Sequence, residues 1–252
     1  MDRSLSTAIV LAGGLGTRLK TVVPDQPKPM AKVAGRPFLE HLLYYWQTQG
    51  IKQFILSVGY RHDQIQDHFG SSFNDCPLYY IEEQDQLGTG GALLHCQRQL
   101  QLTRPFLLLN GDTYFAVAAE DLANLANQNQ ADWCFSLFPS NNIDRYLATS
   151  YDNASGRISF DSKASKLEAN TVKWVNGGVY WIHPKALSPF NDYFGKLSLE
   201  DELIPKCACL GQVFCGLNSN SQFIDIGVPE DYHRAQAFPF SRNSAIKTNA
   251  SS

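Results

Sequence analysis

The chain has 252 residues, 44% of them hydrophobic, and its 24 acidic and 21 basic side chains leave a formal net charge of -3. That is enough apolar material for one sizeable α/β core, and the interleaved charges build no basic field of the kind that draws nucleic acid or an anionic membrane surface. Six cysteines at this length do not make a disulfide framework, and no apolar run approaches the roughly 20 residues that span a bilayer, so a cytoplasmic chain with small-molecule partners is expected. The short apolar run before Gly13 ends in glycines and Arg18 instead of a signal-peptide cleavage site.

From residue 8 to about 115 short apolar runs alternate with longer helical patterns. Strands are predicted at Ala8 to Leu11, Gln53 to Val58, Leu78 to Ile81 and Phe106 to Leu109. Between them, "RPFLEHLLYYWQTQG" reads as a helix opened by Pro37 and stopped at Gly50, and "GTGGALLHCQRQL" as a second crossover helix. This alternation predicts a doubly wound, mostly parallel, Rossmann-like sheet with ligands at the carboxyl ends of its strands. After residue 130, "ADWCFSLF", "RYLATSYD", "GRISF" and "VNGGVYWI" are strand-like, with "DNASG" as a turn, so this half extends the sheet with an antiparallel lid. Helices are expected around Leu199 to Cys209 and Pro229 to Ala237. One domain over 1–240 follows, with halves at about 1–115 and 116–240, and a polar tail over 241–252.

The stretch "AIVLAGGLGTRLKTVVPDQPKPM", residues 8 to 30, sets a glycine-rich turn directly after a strand. Glycines there let backbone N–H groups approach a ligand, and a following helical turn adds its positive end, which suits phosphate. Thr17-Arg18 after Gly16 excludes a P-loop, and Leu19 stands where a dinucleotide fingerprint needs a small residue. The glycines alone read better as a tight strand-to-helix turn. Arg18 beyond the cradle and Lys28 in "PKPM" add two cations, enough to offset different phosphates of one triphosphate.

"LAGGLGTRL" with "PKPM" resembles the signature of sugar-phosphate nucleotidyltransferases, which join a nucleoside triphosphate to a sugar 1-phosphate and release pyrophosphate. "VAGRPFLEHLL", "LSVGY", "LGTGGAL", "LLNGDTYF", "VNGGVYW" and "FIDIGVPEDYHRAQ" continue the resemblance through nearly the whole chain. The complete set is most similar to the branch that transfers GMP from GTP to a heptose 1-phosphate. Close alternatives are a mannose 1-phosphate guanylyltransferase and a uridylyltransferase for N-acetylmuramate 1-phosphate; a non-enzyme alternative is a silent nucleotide-sugar sensor. A homo-oligomer is compatible with the sequence, which leaves assembly open.

The resemblance implies that Leu11, Ala12, Gly13, Gly14, Gly16, Thr17, Glu83, Gly88, Thr89 and Gly111 bind the nucleotide. Arg18 would compensate the leaving pyrophosphate and Lys28 the α-phosphate. Such a transfer needs Mg2+, because an oxyanion attacks an already charged phosphorus. Asp112, at the carboxyl end of the strand in "PFLLLNGD", and Asp225, after "SQFI", match the family's metal-binding aspartates. Asn176, Gly177 and Lys163 are the implied sugar-phosphate contacts. Ser162 stands where the family pattern has glutamate, and Lys163 reads equally as a surface lysine. Glu83 could accept both donors of guanine's Watson–Crick edge; the alternative is a strand-end surface residue, with backbone near Leu11 reading the base. Cys207, Cys209 and Cys215 complete no tetrahedral zinc set and read as buried thiols.

Overall fold

The computed structural model describes residues 5–14, 16–140, 149–152, 154–160 and 173–240. Strand β1 (Thr7–Leu11) leads through two single-turn 3-10 helices, Thr17–Leu19 and Lys28–Met30, into a hairpin of β2 (Lys32–Val33) and β3 (Arg36–Pro37). Helix α1 (Phe38–Thr48), β4 (Gln53–Val58), α2 (His62–Phe69), β5 (Ser72–Phe73), β6 (Cys76–Glu82), α3 (Gly88–Leu100) and β7 (Phe106–Asn110) follow. The second half begins with β8 (Thr113–Phe115), α4 (Ala119–Asn129), β9 (Trp133–Ser140), β10 (Ser150–Tyr151), β11 (Ile158–Ser159) and β12 (Lys173–Ile182). A 3-10 stretch (Pro184–Phe190) and a π turn (Leu199–Leu203) running into α5 (Ile204–Cys209) precede β13 (Phe214–Asn218), β14 (Phe223–Asp225) and α6 (Pro229–Ala235).

The central sheet has eight strands in the order β13-β9-β12-β7-β1-β4-β6-β5. β1 runs parallel to both β4 and β7, β4 to β6, and β13 to β9; β12 is antiparallel to β7 and β9, and β5 to β6. The expected mostly parallel architecture is what forms. The chain builds outward from β1 through β4 and β6, then returns to place β7 on the other side of β1. Such a reversal opens a crevice beyond the carboxyl ends of the strands it separates.

Strand alternation divides the core between the two faces. Ala8, Val10, Phe54, Leu56, Leu107 and Leu109 join one buried cluster with α1, α2 and α4, whereas Ile9, Ile55, Phe106 and Leu108 join another with α3, the π turn and α5. Because helices cover both faces, the inner strands read as unbroken apolar runs instead of alternating ones. No helix among the described residues is long and apolar enough to cross a membrane.

Several sequence expectations change in detail. The helical turn after the glycine loop is a three-residue 3-10 turn, too short to carry much of a dipole. The helix expected from Leu199 starts as a π turn. Of "RYLATSYD", only Ser150–Tyr151 forms a described strand, and residues 145–148 lie outside the described residues. The extension is not wholly antiparallel, since β13 runs parallel to β9. Lys163, Ser162 and the tail over 241–252 also lie outside the described residues.

Candidate active site

A cavity of about 460 Å³ opens at the carboxyl ends of β1 and β7. Leu11, Ala12, Gly13, Gly14, Gly16 and Thr17 form one wall, joined by Lys28; Glu83, Gly88 and Thr89 form a second, and Gly111 and Asp112 close the base. Twelve of the residues singled out in the sequence therefore meet at one place, although they come from four separate segments. Backbone pairing fixes the frame. Gly111 donates its N–H to the Leu11 carbonyl at 3.0 Å, and Ala12 donates to Ser57 at 2.8 Å, tying the turns after β7 and β1 to one another and to β4.

Gly13 is required by close approach. A Cβ there would lie 2.5 Å from Glu83 Oε1. The Glu83 carboxylate is itself held, with the Ser57 hydroxyl donating to Oε1 at 2.9 Å and the Leu87 N–H to Oε2 at 3.4 Å. Burial pushes its carboxyl above the ordinary glutamate value, and these two donors work against that rise. Each oxygen keeps a lone pair for a further donor. At the start of α3, the N–H groups of Gly90 and Gly91 donate to the Leu197 carbonyl, so these two of the helix's free amides are taken by protein.

Lys28 follows Pro27 and precedes Pro29, which set an extended entry into the 3-10 turn, and its Nζ forms an ion pair with Asp112 Oδ2. Burial works against the Asp112 charge, but Lys28 beside it outweighs that cost and holds the carboxyl below its usual range; the Thr113 hydroxyl donates to Oδ1 at 3.1 Å. Asp225 arrives through β14, which pairs antiparallel with β8 so that Asp225 faces Thr113, and Ile226 donates its N–H to the Asp112 carbonyl at 3.0 Å. The Gly227 N–H donates to Asp225 Oδ1 at 2.5 Å. A Cβ on Gly227 would stand 2.8 Å from Asp225 Oδ1 and 3.3 Å from Lys28 Nζ, so both groups border this glycine.

Two carboxylates converging on one cation suit a hard divalent ion that takes one or two protein oxygens and fills its shell from water and phosphate. The donor set fits Mg2+. Among the described residues no group of three or more His, Cys, Asp or Glu side chains could hold a metal, so an all-protein cage is not what this site offers. Cys209 is exposed, contrary to the expectation of buried thiols, while Cys207 and Cys215 are buried.

Asn176 and Gly177 lie in β12 just behind the cavity wall. Pairing of β12 with β9 slips between Asn176 and Tyr180, and the bulge lets the chain pass the Phe115 ring, which a Cβ on Gly177 would meet at 2.5 Å. Asn176 is turned into a polar cluster. Its Nδ2 donates to Tyr180 Oη at 2.6 Å and to Glu200 Oε1, and Tyr180 donates to the same Oε1 at 3.1 Å. Burial pushes the Glu200 carboxyl up, opposed by these donors and reinforced by the charges of Asp201 and Asp112. Tyr180 and Glu200 line the cavity, yet neither stood out in the sequence. The pattern Ser198-x-x-Asp201, a helix-start signature, was the available signal for where Glu200 sits.

Arg18 is the exception among the implied catalytic residues. It lies in the 3-10 turn, exposed, and off the cavity wall.

Three comparisons place this geometry among known proteins. The profile of the nucleotidyl transferase family matches residues 7–241. Proteins named D-glycero-alpha-D-manno-heptose 1-phosphate guanylyltransferase from Aneurinibacillus thermoaerophilus and Campylobacter jejuni are each 38% identical to this chain, over 91% and 90% of it and 96% of their own lengths. HddC from Yersinia pseudotuberculosis, solved in complex with GMP-PN, superposes with a TM-score of 0.75 at 31% identity, covering 92% of this chain and 98% of that one. Matched by the family profile over nearly all its length and by relatives at 38% identity, the chain belongs to the nucleotidyl transferase family.

Proposed function

We propose that this chain transfers GMP from GTP to D-glycero-α-D-manno-heptose 1-phosphate, giving GDP-heptose and pyrophosphate, with Mg2+ as cofactor. The observation that carries the reading is the 38% identity to two heptose 1-phosphate guanylyltransferases over nearly their whole lengths. The cavity supports it, because a glycine turn, Lys28 and Asp112 line a space open to a triphosphate, with Asp225 brought next to Asp112 by the pairing of β14 with β8.

A phosphate oxygen of the sugar attacks the α-phosphorus of GTP and pyrophosphate departs, so the protein supplies position and charge instead of a nucleophile. Gly13, Gly14 and Gly16 let the backbone approach the phosphates. Lys28 offsets charge at the α-phosphate, and Arg18, from its exposed turn, offsets charge on the departing pyrophosphate. Asp112 and Asp225 would hold Mg2+, which when bound supplies Lewis-acid stabilisation of phosphate oxygens. Glu83 accepts from guanine N1–H and the N2 amino group through the lone pairs left by Ser57 and Leu87. Lys163 orients the sugar phosphate, while Asn176, its donors taken by Tyr180 and Glu200, shapes that subsite from behind, with Gly177 giving room.

Incubation with GTP and the heptose 1-phosphate, followed by mass spectrometry, tests the reaction: GDP-heptose and stoichiometric pyrophosphate are expected. Release of pyrophosphate with GMP and no GDP-heptose would overturn the transfer.

A further inference from the structure

Glu200 is the half-buried member of an acidic run whose other members, Asp201 and Glu202, are exposed. Its backbone is clamped. The Ser198 hydroxyl donates to Asp201 Oδ2 at 2.8 Å, the Ser198 N–H donates to Glu202 Oε2 at 2.8 Å, and the Leu199 N–H donates to the Thr89 hydroxyl at 2.9 Å. Leu199 and Leu203 anchor the same turn in the core, and the Leu203 N–H reaches back to Ser198 at 2.9 Å, the widened spacing of a π turn. The turn thus fixes one carboxylate at the cavity.

Donor accounting shows what that carboxylate can still do. Asn176 Nδ2 spends both protons on Tyr180 and Glu200, its Oδ1 receives the Gly178 N–H at 3.1 Å, and Tyr180 spends its proton on Glu200. Both side-chain donors converge on Oε1. Among the described residues none donates to Oε2. An ionised carboxylate is an acceptor only, and it repels phosphate, so the nucleotide's phosphates are the wrong partner for it. Of the two substrates, the sugar brings a ring of hydroxyl donors.

We infer that Glu200 is a specificity-determining residue of the sugar subsite, its Oε2 accepting a hydrogen bond from a ring hydroxyl of the sugar 1-phosphate while Tyr180 and Asn176 hold the carboxylate in place. The inference rests on the transfer reaction proposed above. It deepens that reading by naming the group that reads the sugar ring.

The test compares wild type, Glu200→Gln and Glu200→Asp, each checked for folding by circular dichroism, using the heptose 1-phosphate and its 2-, 3- and 4-deoxy analogues. Wild type is expected to lose roughly 10- to 100-fold in kcat/KM on one analogue, as a site built to bind a hydroxyl does. Both variants should narrow that ratio to within about threefold, since the lost partner no longer matters. A purely structural Glu200 would lower activity on all four sugars alike and leave the ratio unchanged, which would overturn the inference. So would a wild type indifferent to all three deletions. Use of UTP in place of GTP would overturn the guanylyl reading yet leave this comparison standing, because the ratio is taken between sugars with one nucleotide.

Discussion

Lys28 and Asp112, far apart in sequence, form an ion pair at the base of the cavity, with the Lys28 side chain 10% exposed and that of Asp112 30%. Asp225 and the Lys28 ammonium both border Gly227. The protein therefore keeps a cation against its paired carboxylates through a lysine presented between two prolines. Asp112→Asn and Asp225→Asn should each lower kcat by roughly 100-fold or more while leaving the circular dichroism spectrum intact. Near-normal turnover in both would remove these aspartates from the metal assignment.

The same pair makes a stability prediction. Lys28 holds the folded-state carboxyl of Asp112 below its unfolded value. The pair's contribution is thus fully present above the ordinary aspartate range and is lost as pH falls through the depressed folded value. Lys28→Ala should cost roughly 1.5–3 kcal/mol at pH 7 by leaving Asp112 without its charged partner, and the cost should shrink in acid. Urea melts of both proteins across pH measure this; a pH-independent difference would contradict it.

Base choice should depend on Glu83. Glu83→Gln is expected to shrink the preference for GTP over UTP without abolishing the chemistry, because one acceptor becomes a donor. Since burial raises the Glu83 carboxyl, the wild-type preference should begin to fall at a pH above the ordinary glutamate range, as the group takes up its proton. Steady-state ratios of kcat/KM for the two nucleotides between pH 5 and 8 report both effects. A full GTP preference in the variant would return base reading to the backbone near Leu11.

Arg18→Ala should act on kcat more than on KM for GTP, since charge on departing pyrophosphate is largest in the transition state. The side chain lies off the cavity wall, so an effect confined to KM would mark it as a plain nucleotide contact.

The β12 bulge offers a packing test. Gly177→Ala puts a methyl group against the Phe115 ring and 2.8 Å from Ser136 Oγ. Both neighbours are buried, so overpacking should cost roughly 1–3 kcal/mol and show as a lower melting temperature. An unchanged melting temperature would mean that the bulge relaxes freely.

Legibility in the sequence followed physical cause. β4 and α3 have the bounds their residues suggested, because an apolar strand covered on both faces and a helix begun by a glycine-rich turn each carry a local signal. Helix α2 was not marked, since only Ile65 and Phe69 of it are buried and two apolar positions make a faint stripe. That Asp112 and Asp225 meet depends on β8 pairing with β14, a long-range contact that no local pattern records. Glu200 was missed for a related reason. It looks like its neighbours Asp201 and Glu202 in sequence, and only the turn that buries it beside Asn176 and Tyr180 sets it apart.

Transfer of GMP to a heptose 1-phosphate at this cavity is the proposed reaction. Its most direct test is initial-rate pyrophosphate release from the purified chain with GTP, UTP, CTP, ATP and dTTP, each paired with D-glycero-α-D-manno-heptose 1-phosphate, mannose 1-phosphate and N-acetylmuramate 1-phosphate. The highest kcat/KM is expected for GTP with the heptose 1-phosphate, with loss of the reaction on chelation with EDTA and its return with added Mg2+. A preference for UTP, for another sugar, or full activity in the presence of EDTA would contradict it.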